Sequence, residues 1–534
     1  MKENNKKQTR IAIIILILSA IIIVASIYYK LNYKEQTFDT IIYHLTNGGG
    51  NANYDVVWIG LKVCIIPLVA LCVILILPIT SFGKKVFSIT ITYKDKEKVC
   101  QIYPNKLIVK SKIRYSLIML FLCVMFGLAQ IGLFTYINNQ INRSTIFEDE
   151  YVASETVELT FPEEKRNLIY IFLESMETTL TSKENGGGWD YSIIPELEKL
   201  AIDNINFSNT EKLGGAVTVP CTEWTAAGLV SQTASVPLKI FLPDHNGYSG
   251  YTSFLPGVCS LGDILKKEGY NLEVMFGSDA SFGGRKDYFT IHGNYEIFDY
   301  YTAIEEGKMT EEDKVWWGYD DDDLFKWAKN EILELAEKDE PFNFVMLTAD
   351  THFVDGYLSE NVGNEFETQY ENVFAYSSKN VCKFIEWIQK QDFYDNTTIV
   401  VVGDHLGMQT EFYEEHLDKN YTRTVYNTFI NSAIPETNSK NRDFSTLDIF
   451  PTVLASIGVE IEGDRLGLGT NLFSGKETLI EQYGYNYMEK QLSRRSNYYN
   501  KHLLKDNYFE MIVNNISKNE ANTVGQNEIS NVIN

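Results

Sequence analysis

Three apolar runs crowd the N-terminal end of this chain: Ile11 to Tyr29, Val57 to Ile79 and Tyr115 to Ile137. Each has about the 20 residues that a helix needs to cross a bilayer. Lys62 is the one charge inside them, and it lies near an end of its run, where a long side chain can reach the interface. Long polar sequence follows the runs, the pattern of an anchor rather than of a soluble core. Basic residues set the expected orientation. Lys2, Lys6, Lys7 and Arg10 precede the first run, whereas residues 30–55 carry only Lys30 and Lys34. Nine basic residues lie between Lys84 and Arg114. Positive segments stay in the cytoplasm, so the N-terminus is expected inside and everything after about Asn138 outside. No small-residue cleavage site follows the first run closely, so it is expected to be a retained anchor.

This predicts a membrane anchor over 1–137 with spans at about 11–29, 57–79 and 115–137, and a polar, acidic linker over 138–161. An extracytoplasmic domain is expected over 162–515, and an Asn-, Glu- and Ser-rich mobile tail over 516–534. The net charge of −24 argues against nucleic acid as a partner, and an anionic substrate would need local positive charge at its site. Of the seven cysteines, Cys221 and Cys259 could form a disulfide outside the cell, and Cys382 reads as a buried thiol.

In the long domain, strand-like and helix-like segments alternate, the signature of an α/β fold with a doubly wound sheet flanked by helices. Asn167 to Leu173, Asn271 to Phe276, Phe342 to Leu347 and Thr398 to Val402 read as core strands. Helical patterns fall at Pro195 to Ile202, Leu261 to Lys267, Asp322 to Glu337, Gln369 to Lys390 and Thr446 to Ile457.

The chemistry-bearing residues follow the strands. Asp404 and His405 come directly after Thr398-Ile399-Val400-Val401-Val402-Gly403. In open α/β sheets the carboxyl ends of strands are where ligands bind. An adjacent carboxylate and imidazole suit a divalent cation that takes oxygen and nitrogen ligands. Glu174 closes the first strand of the domain and would add a third ligand type at the same edge. Pro220-Cys221-Thr222-Glu223-Trp224-Thr225-Ala226-Ala227-Gly228 reads as a loop entering a helix. A hydroxyl there meets a positive dipole end, and a metal contact would make it a usable nucleophile; Thr222 and Thr225 both qualify. Arg285, in a Gly-rich loop after a strand, offers a fork to phosphate oxygens, and His352, just after another strand, can donate to a leaving oxygen.

These residues resemble the membrane-anchored phosphoglycerol transferases of the alkaline phosphatase/sulfatase superfamily, which include lipoteichoic acid synthases and the enzymes that decorate osmoregulated periplasmic glucans. The resemblance spans roughly Asn167 to Gly475 and rests on six blocks: Glu174-Ser175, Trp224-Thr225-Ala226-Ala227-Gly228, Leu261-Gly262-Asp263-Ile264-Leu265, Asp350-Thr351-His352, Gly403-Asp404-His405, and Asp448-Ile449-Phe450-Pro451-Thr452. The Trp-Thr block, Asp355-Gly356 and Arg465-Leu466-Gly467-Leu468-Gly469 bring it closer to the glucan-modifying branch. Gly283, in place of an aromatic, and the three spans depart from the synthase pattern.

The resemblance implies a sulfatase-like mixed sheet. It implies one divalent ion, manganese first and magnesium or zinc next, held by Glu174, Thr225, Asp404 and His405. Thr225 is then the nucleophile, with His352 and Arg285 on the substrate phosphate. It also implies glycerol phosphate transfer from a phosphatidylglycerol-type lipid to a glycan or polyglycerol-phosphate acceptor. The alternatives are a phosphoethanolamine transferase, a phosphodiesterase or sulfatase-type hydrolase, or an inactive lipid-headgroup sensor. Cys221 lacks the Pro or Ala and then Arg that a sulfatase nucleophile requires after it.

Overall fold

The computed structural model describes residues 2–32, 54–79, 87–93, 96–103, 112–239, 254–435 and 438–504, with the single positions 38 and 41. The expected tail at 516–534 lies outside the described residues. The chain divides into two compact units: Met1–Phe38 with Ala52–Asn138, and Asp39–Asn51 with Asn139–Asn534.

In the first unit three helices are long and apolar enough to cross a membrane, over Lys6–Leu31, Gly60–Ile79 and Lys112–Gln130. Ala12, Leu16 and Ala20 pack with Leu75, Ile79 and Tyr115. The third of these helices ends earlier than the apolar run does. Gly132 takes a positive φ of 79°, and a separate helix, Leu133–Ile141, follows the break. Strands Phe87–Tyr93 and Lys96–Tyr103 form an antiparallel hairpin between the second and third helices, which the sequence reading did not anticipate.

The second unit is built on a six-stranded sheet, whose strands are β1 (Asn167–Leu173), β2 (Asn271–Phe276), β3 (Glu296–Phe298), β4 (Phe342–Leu347), β5 (Thr397–Gly403) and β6 (Asn427–Ile430). Their spatial order is β6-β5-β1-β4-β2-β3. The first five are parallel and β6 is antiparallel to β5, which makes the sheet mixed. Helices cover both faces, so the central strands are apolar on both sides, as parallel sheets require. Helices Pro195–Asp203, Asp321–Ala336 and Gln369–Ile388 contribute to the core with Ile169, Ile171, Met346 and Val401. On the opposite face Tyr170 donates to the carbonyl of Gln232 in helix Thr225–Ala234, and Thr398 donates to Ser456 at the end of helix Ile449–Ser456. β1 sits in the middle of the sheet, so its end and that of β5 are neighbours, with Leu173 paired to Gly403.

Segment 138–161, expected as a linker, is woven into this unit. Arg143–Ser144 pairs with Arg495–Ser496, Leu159–Thr160 pairs with Glu460–Ile461, and Ile146 and Phe147 are buried. Its acidic composition hid the two apolar residues that it buries. Cys221, Cys259 and Cys382 are all thiols, so the Cys221–Cys259 disulfide considered above is not formed.

One buried residue of β2 is out of keeping with the apolar core. Glu273 is 5 % exposed, and its Oε1 finds no hydrogen-bond partner among the described residues. Burial, then the Glu331 and Glu296 carboxylates, push it up to about 8 from an ordinary 4.5. The folded state therefore keeps a proton that the unfolded chain loses, so Glu273 erodes stability as pH rises from about 4.5 to about 8. Glu273→Gln is expected to be more stable than the parent at pH 8, on the order of a few kcal/mol, with the gap closing near pH 4.5. Thermal melts of the detergent-solubilised chain at both pH values check this.

Candidate active site

The ends of β1 and β5 deliver Glu174 and Asp404-His405 to one place. Glu174, Asp404 and His405 are buried, and one ligand atom from each lies within 4.8 Å of the others. Among the described residues this is the one group of three or more metal-ligating side chains so arranged. Backbone geometry turns them inward. Ser175 adopts a left-handed φ of 55° and donates its N–H to Asp404 Oδ1 at 2.8 Å. The His405 N–H donates to the same oxygen at 2.7 Å.

That leaves Asp404 Oδ2 buried with no hydrogen-bond partner among the described residues, 3.4 Å from His405 Nε2. The His405 tautomer is set by its other nitrogen: Nδ1–H donates to the Leu406 carbonyl at 2.8 Å, leaving Nε2 with a lone pair. Nε2 faces Glu174 Oε1 at 3.4 Å.

This arrangement is electrostatically unfinished. Burial, and then the Glu174 carboxylate, push Asp404 up to about 8. Burial also acts to raise Glu174, but His405, then His352 and the Ser175 hydrogen bond, outweigh it and hold Glu174 low. Burial acts to lower His405, but the Asp404 and Glu174 carboxylates raise it. The cluster thus retains protons in the place of positive charge. An orphaned carboxylate oxygen, a second carboxylate and an imidazole lone pair are a donor set that fits a divalent cation.

Thr225 completes the convergence. It is the first residue of helix Thr225–Ala234, and its Oγ1 lies 3.3 Å from Glu174 Oε2 and 3.4 Å from His405 Nε2. Thr222, the other candidate hydroxyl, is fully buried and committed to a turn: it donates to the Val219 carbonyl at 2.8 Å and accepts the Val219 N–H at 3.0 Å. Helix Thr225–Ala234 is held against the β5 end by Gln232, whose side chain donates to the Gly403 and Asp404 carbonyls at 3.0 and 3.1 Å.

Gly228 permits that approach, since a Cβ there would meet the Asp404 carbonyl at 2.2 Å. Gly228→Ala is expected to push the helix off the β5 end, costing about 1–3 kcal/mol of stability. A shift approaching 1 Å would cost roughly 10²-fold in turnover. Melting and activity measured on the same preparation test both.

His352 is half-buried after β4. Its Nδ1–H donates to the Phe353 carbonyl at 2.7 Å, so Nε2 is the atom left to exchange protons. Trp317 packs edge-on against its ring and Phe353 stacks on it. Burial lowers the His352 pKa, while the Glu174 carboxylate acts to raise it. Arg285 lies at the start of helix Arg285–Ile291, stacked on Phe276. It donates to the Phe282 and Asp279 carbonyls and to Ser278 Oγ, at 3.0, 2.7 and 3.0 Å, so these contacts brace its own loop rather than the Glu174–Asp404–His405 cluster. Asp350, in the same block as His352, is pushed up to about 10 by burial and then by Asp321, whose N–H it accepts.

Residues that the sequence reading passed over support the cluster. Thr351 donates to the Glu174 carbonyl at 2.6 Å and Thr348 accepts the Glu174 N–H at 3.1 Å. Glu177, fully buried, pairs with Arg423, and the two hold Gly407: Glu177 accepts its N–H at 2.8 Å and Arg423 donates to its carbonyl at 2.6 Å. Glu177 follows Glu174 by three residues, the one signal that marked it beforehand.

Residues 166–459 match the sulfatase family model, a little over half of the chain. The chain belongs to the sulfatase family. Among curated proteins it is similar to phosphoglycerol transferase I of Escherichia coli, 31 % identical over 345 residues, covering 62 % of this chain and 42 % of the relative. The chain thus spans less than half the length of that enzyme. Among solved structures it is similar to the lipoteichoic acid synthase LtaP of Listeria monocytogenes, 19 % identical, covering 60 % of this chain and 82 % of that one, with a TM-score of 0.48. It is also similar to the phosphoethanolamine transferase EptA of Neisseria meningitidis, 13 % identical, covering 85 % and 84 %, with a TM-score of 0.46.

Proposed function

We infer that this chain is a membrane-anchored phosphoglycerol transferase that takes glycerol phosphate from a phosphatidylglycerol-type lipid. The observation that carries the reading is the Thr225 hydroxyl, at a helix N-terminus and within 3.4 Å of both Glu174 and His405. Membership of the sulfatase family and the likeness to phosphoglycerol transferase I support it.

Glu174, Asp404, His405 and Thr225 would hold one divalent ion, manganese first and magnesium or zinc next. Bound there, it lowers the pKa of the Thr225 hydroxyl and offsets charge on the phosphate. Thr225 Oγ1, whose proton would pass to solvent as the ion binds, attacks phosphorus, the bond to the diacylglycerol oxygen breaks, and a phosphoglycerol–threonine ester remains. His352 Nε2, protonated as the anionic phosphodiester settles beside it, gives its proton to the departing oxygen. The same nitrogen then takes the proton of an acceptor hydroxyl, on a glycan or a polyglycerol-phosphate chain, as that hydroxyl displaces Thr225. Arg285, with its fork braced in its own loop, contributes through its positive charge. In this reading the N-terminus is cytoplasmic and the second unit extracytoplasmic, on the donor's membrane.

Incubation with phosphatidylglycerol labelled in its headgroup tests the proposal. Diacylglycerol release and a glycerol phosphate mass on the Thr225 peptide are expected. Release from phosphatidylethanolamine alone would transfer the assignment to phosphoethanolamine, and release with no adduct would reduce it to hydrolysis.

A further inference from the structure

We propose that Trp316 and Trp317 form a stacking platform for an uncharged sugar ring, which makes the acceptor a neutral glycan rather than a polyglycerol-phosphate chain. This rests on the reading of His352 as the base that takes the acceptor's proton. The two tryptophans are the tip of a tight turn. The Val315 N–H donates to the Gly318 carbonyl at 3.0 Å, and the Gly318 N–H donates back to the Val315 carbonyl at 2.8 Å. Trp316 takes a left-handed φ of 45°, where Gly, Asn or Asp is the ordinary choice in such a turn. A turn selected for stability alone would not carry an indole there, and local rules of this kind are broken chiefly at functional sites.

The turn is pinned between two parts of the site. Gly318 bridges Ser278, and the Tyr319 N–H donates to the Gly277 carbonyl at 2.8 Å. Gly277 and Ser278 directly follow β2, and Ser278 Oγ accepts from Arg285. On its other side the Trp317 ring stands edge-on to His352, with centroids 4.6 Å apart. Trp316 packs on Trp317 at 4.5 Å and on Tyr357 at 5.5 Å. Tyr357, Trp316 and Trp317 thus form an unbroken series of half-buried rings that ends at the imidazole.

A displacement at phosphorus places the departing and entering oxygens in line with the nucleophile. The position beside His352 Nε2 is therefore occupied by the diacylglycerol oxygen first and by the acceptor hydroxyl afterwards. Diacylglycerol is held by the bilayer, whereas an acceptor has to be held by the protein. Ring chemistry and charge then select it. The C–H face of a pyranose matches an indole face in area and polarity, and a glycerol phosphate chain has no such face. Around the tip the chain is acidic: Glu311, Glu312 and Asp313 are exposed just before it, and Asp320 follows. Of the nearby cations, Lys314 lies over the Tyr300 ring and Lys326 pairs with Asp323. Like charge disfavours a polyanionic acceptor here and leaves a neutral sugar unaffected.

The test takes the full chain in phosphatidylglycerol vesicles and offers maltohexaose or a glycerol phosphate oligomer of equal length. It measures how labelled glycerol phosphate divides between acceptor and water. The parent is expected to favour maltohexaose. Trp316→Ala and Trp317→Ala should lower kcat/KM for the sugar, relative to transfer to water, by at least roughly tenfold. Trp317→Phe, which keeps a ring, should retain most of the preference. A role confined to packing, or to holding His352, would reduce transfer to sugar and water together; that result would overturn the proposal, as would a parent that prefers the glycerol phosphate oligomer. Calorimetric titration of the parent and of Trp317→Ala with maltohexaose needs no turnover. Binding that Trp317→Ala loses, in a chain that releases no diacylglycerol, would uphold the platform and remove the transferase. A parent that does not bind the sugar would remove the platform whatever the chain does to phosphatidylglycerol.

Discussion

Thr225→Ala is expected to lower turnover of phosphatidylglycerol by at least ~10³-fold and to remove the covalent adduct, while the protein folds normally. The fold should tolerate the change because Thr225 is not the N-cap residue: Trp224 precedes the helix, and the Gly228 N–H closes the first turn on the Trp224 carbonyl at 2.8 Å. Its hydroxyl instead faces Glu174 and His405, so deletion removes a reacting atom and little packing. Thr225→Ser, which keeps the atom, should retain measurable turnover.

Thr222→Ala gives the opposite pattern. Thr222 makes two hydrogen bonds to Val219, so its loss should cost about 1–2 kcal/mol of stability and leave the adduct chemistry in place. Melting curves, adduct mass and diacylglycerol release on the three variants separate these roles. An adduct that persists in Thr225→Ala and vanishes in Thr222→Ala would reverse the assignment.

Asp404→Asn is expected to be a well-folded protein that no longer binds a divalent cation. The amide oxygen can still accept the Ser175 and His405 N–H groups that Oδ1 accepts now. At neutral pH burial and the Glu174 carboxylate already favour the protonated acid, so an uncharged replacement adds no electrostatic cost. What is lost is a carboxyl oxygen beside His405 Nε2 that can give up its proton to a cation. Affinity for Mn²⁺ should fall by at least ~10²-fold in calorimetric titration, and the rise in melting temperature that the cation gives the parent should disappear. A variant that keeps both would mean that Glu174 and His405 hold the ion without Asp404.

Much of the architecture was legible because it is locally encoded. β1, β2 and β4 coincide with the runs read from sequence, since a strand buried on both faces must be apolar throughout and must end where polarity returns. The same reading placed Glu174, Asp404 and His405 at strand ends, because a buried parallel strand leads straight to its carboxyl edge. β3, with three residues, and β6, with four, were too short to show a period.

Strand order was also out of reach: β1 pairs with β4 and β5 across 170 and more residues, and nothing near Asn167 announces its neighbours. The residues themselves left Thr222 open beside Thr225, which the Trp-Thr block favoured; what the sequence could not show is that Thr222 is tied into a turn at Val219 while Thr225 Oγ1 faces Glu174 and His405. Arg285 was read as a substrate fork, and in the structure its Nε and one terminal nitrogen donate to three acceptors of its own loop, contacts that no letter of the sequence announces. Glu177 and Arg423, 246 positions apart, meet through the tertiary fold alone.

The hold that Glu177 and Arg423 exert on Gly407 has a kinetic consequence. Both polar backbone groups of a residue two places beyond His405 are tied to a buried ion pair, itself stacked on Tyr413. The conformational entropy of this loop is therefore surrendered when the protein folds, not when a cation arrives. Capture should then be governed by how fast the ion sheds its water, with no slow loop-closing phase in stopped-flow traces. Protein stripped with a chelator should regain full turnover as soon as the ion is restored.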